Sequence, residues 1–178
     1  MGYNLTGMNF VTLELPAWVG DLVGDPERRY REPAERMRLA VELARRNVEQ
    51  DSGGPFGAAL FELESGRLIA PGVNRVVPAS CSVAHAETMA IMLAQSLLGT
   101  HDLRSRGSYE LATSAEPCAM CYGALPWSGI RRLAYGATRE DVQAIGFDEG
   151  EKPEDWAAAL ERRGIEVVHA LLRTEARE

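Results

Sequence analysis

Lysine is almost missing from this chain: Lys152 is the single one, and arginine supplies the rest of the 19 basic residues, which face 26 acidic ones. A formal net charge of -7 leaves no electrostatic footprint for a phosphate backbone, so a nucleic-acid partner is not expected and a small, uncharged or weakly charged substrate fits better. The arginines fall in scattered pairs (Arg28 and Arg29, Arg45 and Arg46, Arg131 and Arg132, Arg162 and Arg163), the pattern of solvated faces rather than of a basic patch. Cysteine is scarce too. Three in 178 residues exclude a disulfide framework, and two of them, Cys118 and Cys121, stand three positions apart, which points to metal binding or redox chemistry in a reducing compartment. No apolar run is long enough to span a bilayer, and the opening stretch MGYNLTGMNFVTLELPAWVG lacks the positive start, apolar core and small-residue cleavage site of an export signal. A soluble, cytoplasmic protein without a membrane partner is the expectation.

Internal repeats and low-complexity linkers are absent as well. At 46% hydrophobic, the chain is large enough to bury one core without cross-links. Residues 1–30 mix apolar residues with Gly and Pro without sustained periodicity, and are read as an irregular N-terminal arm ending near Asp25-Pro26, with one domain over 31–178. From Pro33, Met37, Ala40, Val41, Ala44 and Val48 recur at helical spacing, and Gly53-Gly54-Pro55 stops the run. Residues 56–63 and 67–76 are short apolar segments around Glu64-Ser65-Gly66, the pattern of a hairpin. Residues 84–98 are helical in composition and end at Gly99. A strand over 109–113, a short helix opening at Pro117-Cys118, a strand over 132–137, a helix over 154–163 and a last strand over 165–172 complete the reading. Strands alternating with helices after an initial hairpin argue for a three-layer α/β/α sandwich on a mixed sheet.

Chemistry concentrates in His85-Ala86-Glu87 at one helix start and Pro117-Cys118-Ala119-Met120-Cys121 at another. A Cys-x-x-Cys at a helix N-terminus presents two sulfurs on neighbouring turns, where the dipole and free N–H groups favour thiolates. Pro117 suits that first turn because its missing N–H goes unused there. Two cysteines and one histidine give a tetrahedral zinc three protein ligands and leave one position for water, the arrangement of a catalytic site. Such water is acidified and needs a proton acceptor; Glu87, two residues from His85, is placed for that. Alone, a Cys-x-x-Cys is often a structural half-site or a redox pair, but no fourth His or Cys stands at a typical spacing here. Cys81 is read as a small packed residue, and His101 and His169 as surface or strand-borne.

The joint pattern of H-x-E with P-C-x-x-C resembles the signature of the zinc nucleobase deaminases. Over residues 33–172 the chain resembles the cytidine deaminase superfamily, whose two motif helices pack on a five-stranded sheet. Within it, Gly53-Gly54-Pro55-Phe56-Gly57, Gly72-Val73-Asn74 and Gly146-Phe147-Asp148-Glu149 make it most similar to the bacterial guanine deaminases. The resemblance implies one Zn²⁺ per chain on His85, Cys118 and Cys121, with a bound water or hydroxide, and Glu87 as the proton carrier. It also implies that Asn74 bonds the purine edge, that Phe56 stacks on or flanks the ring, and that the Ala86 backbone orients it. Glu149 would be a second acidic contact and Trp127 a family aromatic at the substrate. The implied reaction is hydrolysis of an exocyclic amine of a cyclic amidine, guanine going to xanthine and ammonia, in a homodimer.

One departure stands out. Many members close the pocket with an aromatic residue in a C-terminal tail, and no aromatic lies beyond Trp156 here. Three other readings stay open: a tRNA adenosine deaminase, which the acidic balance opposes; a deaminase of cytosine or of an aminotriazine such as ammeline; and a zinc-binding protein without activity, which has no use for Glu87.

Overall fold

A computed structural model describes residues 11–178. In chain order it comprises α1 (Ala17–Val23), α2 (Pro33–Glu49), β1 (Gly57–Glu62), β2 (Leu68–Val73), α3 (Ala86–Leu98), β3 (Tyr109–Ala115), α4 (Ala119–Ser128), β4 (Arg132–Ala137), α5 (Arg139–Ala144), α6 (Trp156–Glu161), β5 (Glu166–Val168) and α7 (Arg173–Ala176). The five strands form one sheet in the order β2-β1-β3-β4-β5. β1 runs antiparallel to β2 and β3, whereas β3, β4 and β5 are mutually parallel, so the sheet is mixed as expected.

Each face of the sheet has its own core. On one side Ala58, Leu60 and Leu111 meet Ala90 and Ala94 of α3, Leu125 of α4 and Leu160 of α6. On the other, Ala59, Phe61 and Ala112 meet Met37, Ala40 and Leu43 of α2, with Val19 of α1. Alternate residues of the same strands thus feed opposite layers, as the two-residue period of a strand requires.

α2 starts where the sequence places it, on a capping box between Glu32 and Glu35 with Pro33 in its first turn. Of its expected apolar stripe Val48 stands out, 53% exposed. The helix is gripped at Gly57, where an added Cβ would lie 2.3 Å from the Ala40 carbonyl oxygen, and its last turn runs past that contact. A second close approach seats α3: a Cβ at Gly72 would lie 2.1 Å from the Ala86 carbonyl oxygen, so only glycine lets the start of α3 rest on β2. α3 then stops at Gly99, whose backbone is left-handed and whose neighbour Thr100 bonds back to the Gln95 carbonyl at 3.0 Å.

Two local expectations are corrected and one element is added. The stretch read as an irregular arm carries a helix, α1, which buries Val19, and an isolated bridge between Arg29 and Arg67; residues 1–10 of that arm lie outside the described residues. The last strand covers three residues rather than the expected eight, because Ala170 and Leu172 adopt positive φ and turn the chain into α7. Finally, α5 follows β4 directly, opened by Thr138, whose N–H and hydroxyl both donate to Asp141 Oδ2.

Candidate metal centre and active site

Two helix starts deliver the site. His85 is the N-cap of α3 and Cys118 the N-cap of α4, both in extended backbone, so each side chain leaves its helix at the end where N–H groups are unpaired. Cys121 lies one turn into α4 and is fully buried. Cys118 and its turn follow the carboxyl end of β3, the edge at which open α/β sheets place their ligands.

His85 Nδ1 lies 3.5 Å from Cys118 Sγ and 3.6 Å from Cys121 Sγ, and the three donor atoms fall within 4.8 Å of one another. Without metal the cluster shares its protons unequally. The hydrogen bond from Cys121, then that from His85, holds the Cys118 thiol down to about 4 against burial. The Cys121 thiol is pushed well above its usual range, first by that same hydrogen bond and then by burial. Its bond to Cys118 raises the His85 imidazole against burial. One sulfur is therefore already an anion, and two soft sulfurs with one imidazole form a donor set that fits zinc. Cys81 is outside this cluster.

Two of the three metal donors, His85 and Cys118, line a cavity of about 590 Å³, in the range of small-molecule sites, with Cys121 buried behind them. Of the residues expected at a substrate, Phe56, Asn74, Glu87 and Glu149 all line it. Glu87 is buried, and burial above all raises its carboxyl group out of the ordinary range. Asn74 is held from behind, since Asn47 Nδ2 donates at 2.8 Å to the carbonyls of both Asn74 and Gly54; its own Oδ1 accepts from the Val76 N–H at 3.2 Å. Glu149 is 4% exposed, and its buried Oε2 has no hydrogen-bond partner, an orphan that a bound ligand would satisfy. Burial and the neighbouring Cys118 push its carboxyl up to about 7.

Two residues expected at the substrate are not among those lining the cavity. Trp127 does not line the cavity and is 79% exposed. Helix α4 buries Cys121, Leu125 and Ser128, and Trp127 falls on the opposite face. Ala86 is fully buried and does not line the cavity either; its carbonyl side packs on Gly72, so its backbone carbonyl is turned to the sheet.

Several lining groups were not anticipated. Phe147 meets Phe56 edge to face, ring centroids 4.9 Å apart, and completes an aromatic wall. Glu116, next to Pro117, reaches the cavity from the end of β3 while its Oε1 accepts from Lys152 Nζ. The solitary lysine was the one available hint of this pair. Among the described residues, no helix is long and apolar enough to cross a membrane.

Comparison with known proteins agrees with this geometry. The profile described as "Cytidine and deoxycytidylate deaminase zinc-binding region" matches residues 31–137. Guanine deaminase of Bacillus subtilis is 39% identical over 113 residues, 64% of this chain and 69% of the relative. Among solved structures, a guanine deaminase from Nitrosomonas europaea superposes with a TM-score of 0.90 at 50% identity, over 95% of this chain and 93% of that one. A point mutant of NE0047 in complex with 8-azaguanine gives a TM-score of 0.90 at 50% identity, over 96% and 93% of the two chains.

Proposed function

Because the chain belongs to the cytidine and deoxycytidylate deaminase family, we propose that it is a zinc-dependent deaminase that hydrolyses guanine to xanthine and ammonia. The observation that carries this reading is that one cavity is lined by His85 and Cys118 of a His-Cys-Cys donor set, by a buried Glu87 and by Glu149, whose buried Oε2 has no partner. Two relatives in sequence and structure are named guanine deaminases, and a related solved structure, NE0047, carries 8-azaguanine.

His85, Cys118 and Cys121 would hold the zinc, whose chemistry there would be to lower the pKa of water toward neutrality. Glu87 accepts one proton of the attacking water as its oxygen adds to C2, and delivers it to the adjacent ring nitrogen. It then takes the remaining proton from the added hydroxyl and gives it to the exocyclic amine as C2=O forms and the C2–N bond breaks, so that one water enters and one ammonia leaves. Burial raises its carboxyl group above the ordinary range, which favours its holding a proton between the two transfers. Phe56, backed edge-on by Phe147, flanks the flat ring. Asn74, its amide oriented by Val76, bonds the purine edge, and Glu149 Oε2 supplies the acceptor or donor that a guanine edge requires. From Ala86 only the N–H, at the unpaired start of α3, is left to contribute. A tRNA substrate is disfavoured by the net charge of -7.

Ammonia release by zinc-loaded protein is the direct test, run across guanine, adenine, cytosine, their nucleosides and aminotriazines. Guanine should exceed every other compound in kcat/KM by at least about a hundredfold, since a site that bonds one edge leaves buried polar groups unpaired with another. Equal or faster turnover of adenine, cytosine or an aminotriazine would overturn the assignment.

The protein works, in this reading, as a cytoplasmic homodimer. Supporting the dimer is the outer face of α4, where Met120 and Trp127 are exposed and an added Cβ at Gly123 would meet open space. Trp127→Glu is expected to weaken self-association at least tenfold in sedimentation velocity. An unchanged sedimentation profile would rule out this face.

A further inference from the structure

The chain's one lysine lies directly behind the metal centre. Lys152 Nζ donates to Glu116 Oε1 at 2.5 Å and to the Pro117 carbonyl at 2.6 Å, and sits 4.7 Å from the centre of the Trp156 ring. Its side chain is 1% exposed. An ammonium has three N–H groups, and here two meet oxygen and the third side faces an aromatic ring, so the buried charge is fully accommodated. Pro117 immediately precedes the ligand Cys118. A second bond, from the Ala119 N–H to the Glu149 carbonyl at 2.8 Å, grips the other side of the same cysteine. Loop 149–152 therefore clasps the turn 116–119 from both flanks of Cys118.

We propose that Lys152 is a positioning residue of the metal centre, fixing the Pro117 carbonyl, and through it Cys118, in the geometry that zinc requires. Two oxygens from consecutive residues converge on one point, and a compact ammonium fits that point where the wide, planar guanidinium used elsewhere in the chain does not. Folding alone gives no reason for such a group, because a buried ion pair can commonly be replaced by neutral side chains without loss of stability, whereas removing one partner strands the other. That contrast separates a positioning role from a merely structural one.

The experiment compares the zinc protein with Lys152→Met and with the double variant Glu116→Gln/Lys152→Met. Zinc affinity is read by chelator competition, the Co²⁺-substituted absorption spectrum reports ligand geometry, and thermal unfolding runs alongside. Lys152→Met should lose about ten- to a hundredfold in zinc affinity, as groups that orient metal ligands typically do. The double variant should regain thermal stability without regaining affinity, and its cobalt bands should differ from those of the parent. If the double variant is folded and shows wild-type zinc affinity with an unchanged cobalt spectrum, Lys152 is only half of an ion pair and the proposal fails. Neither readout uses a nucleobase, so the result stands apart from the guanine assignment.

Discussion

Glu87→Gln should bind one zinc per chain and lose about a thousandfold or more of kcat, with Glu87→Ala at least as impaired. The reasoning starts from what the substitution leaves alone. Glu87 follows His85 by two residues on the first turn of α3, yet the donor cluster consists of His85, Cys118 and Cys121 without it. Glutamine keeps the length and the hydrogen-bonding ends of the side chain while removing its ability to take up and release a proton. General acid–base catalysis contributes about 10² to 10⁴ in rate, and one carboxylate here serves both the attack and the departure of the amine, so the upper part of that range applies. Metal content by elemental analysis and ammonia release on the same sample decide the matter. A Glu87→Gln protein that carries full zinc and deaminates at the parent rate would sink the mechanism.

Cys118→Ala acts on stability as well as on activity. It takes away the sulfur that is already an anion before metal arrives, and leaves Cys121, whose proton is held firmly, and a half-buried imidazole. Two ligands of this kind do not retain zinc. Binding to the folded state alone contributes about 4 kcal/mol when free zinc is about a thousand times its dissociation constant. A domain of this size gains roughly 2–4 °C in Tm for each kcal/mol, so the melting temperature of the variant should fall by roughly 10 °C from that of the zinc-loaded parent. Stripping zinc from the parent with a chelator should reproduce most of the drop. Stoichiometric zinc in Cys118→Ala, or an unchanged Tm, would show that the ligands are elsewhere.

The reactive half of the site was open to sequence reading because its residues are neighbours along the chain. His85 and Glu87 share one helix start, Cys118 and Cys121 another, and the spacing alone states the donor set. Strand β4 matches its expected limits at Arg132–Ala137, since a short, wholly buried run between Arg131-Arg132 and Thr138 leaves little freedom. What escaped depends on partners far apart in sequence. Lys152 finds Glu116 across thirty-six positions, and Phe147 meets Phe56 only because α5 turns the chain back over the cavity. Trp127 went astray for a related reason. Aromatic character does not reveal which side of a helix faces the core; Leu125, two residues earlier, took that side. By contrast, α5 had a readable signal in Thr138 and Asp141, a capping box three residues apart, and its six residues are too few to show periodicity.

The burial of Lys152 also determines how the protein meets reagents and modifying enzymes that act on primary amines. No other lysine exists, so side-chain acylation and isopeptide conjugation at lysine have one target, and it is sealed behind Glu116, Pro117 and Trp156. A label can reach that nitrogen only while loop 149–152 is lifted away from Cys118. Each label found on Lys152 thus records one opening of the clasp, and where closing is faster than the chemistry, the rate of labelling at Lys152 measures how often the metal site of the intact enzyme stands ajar.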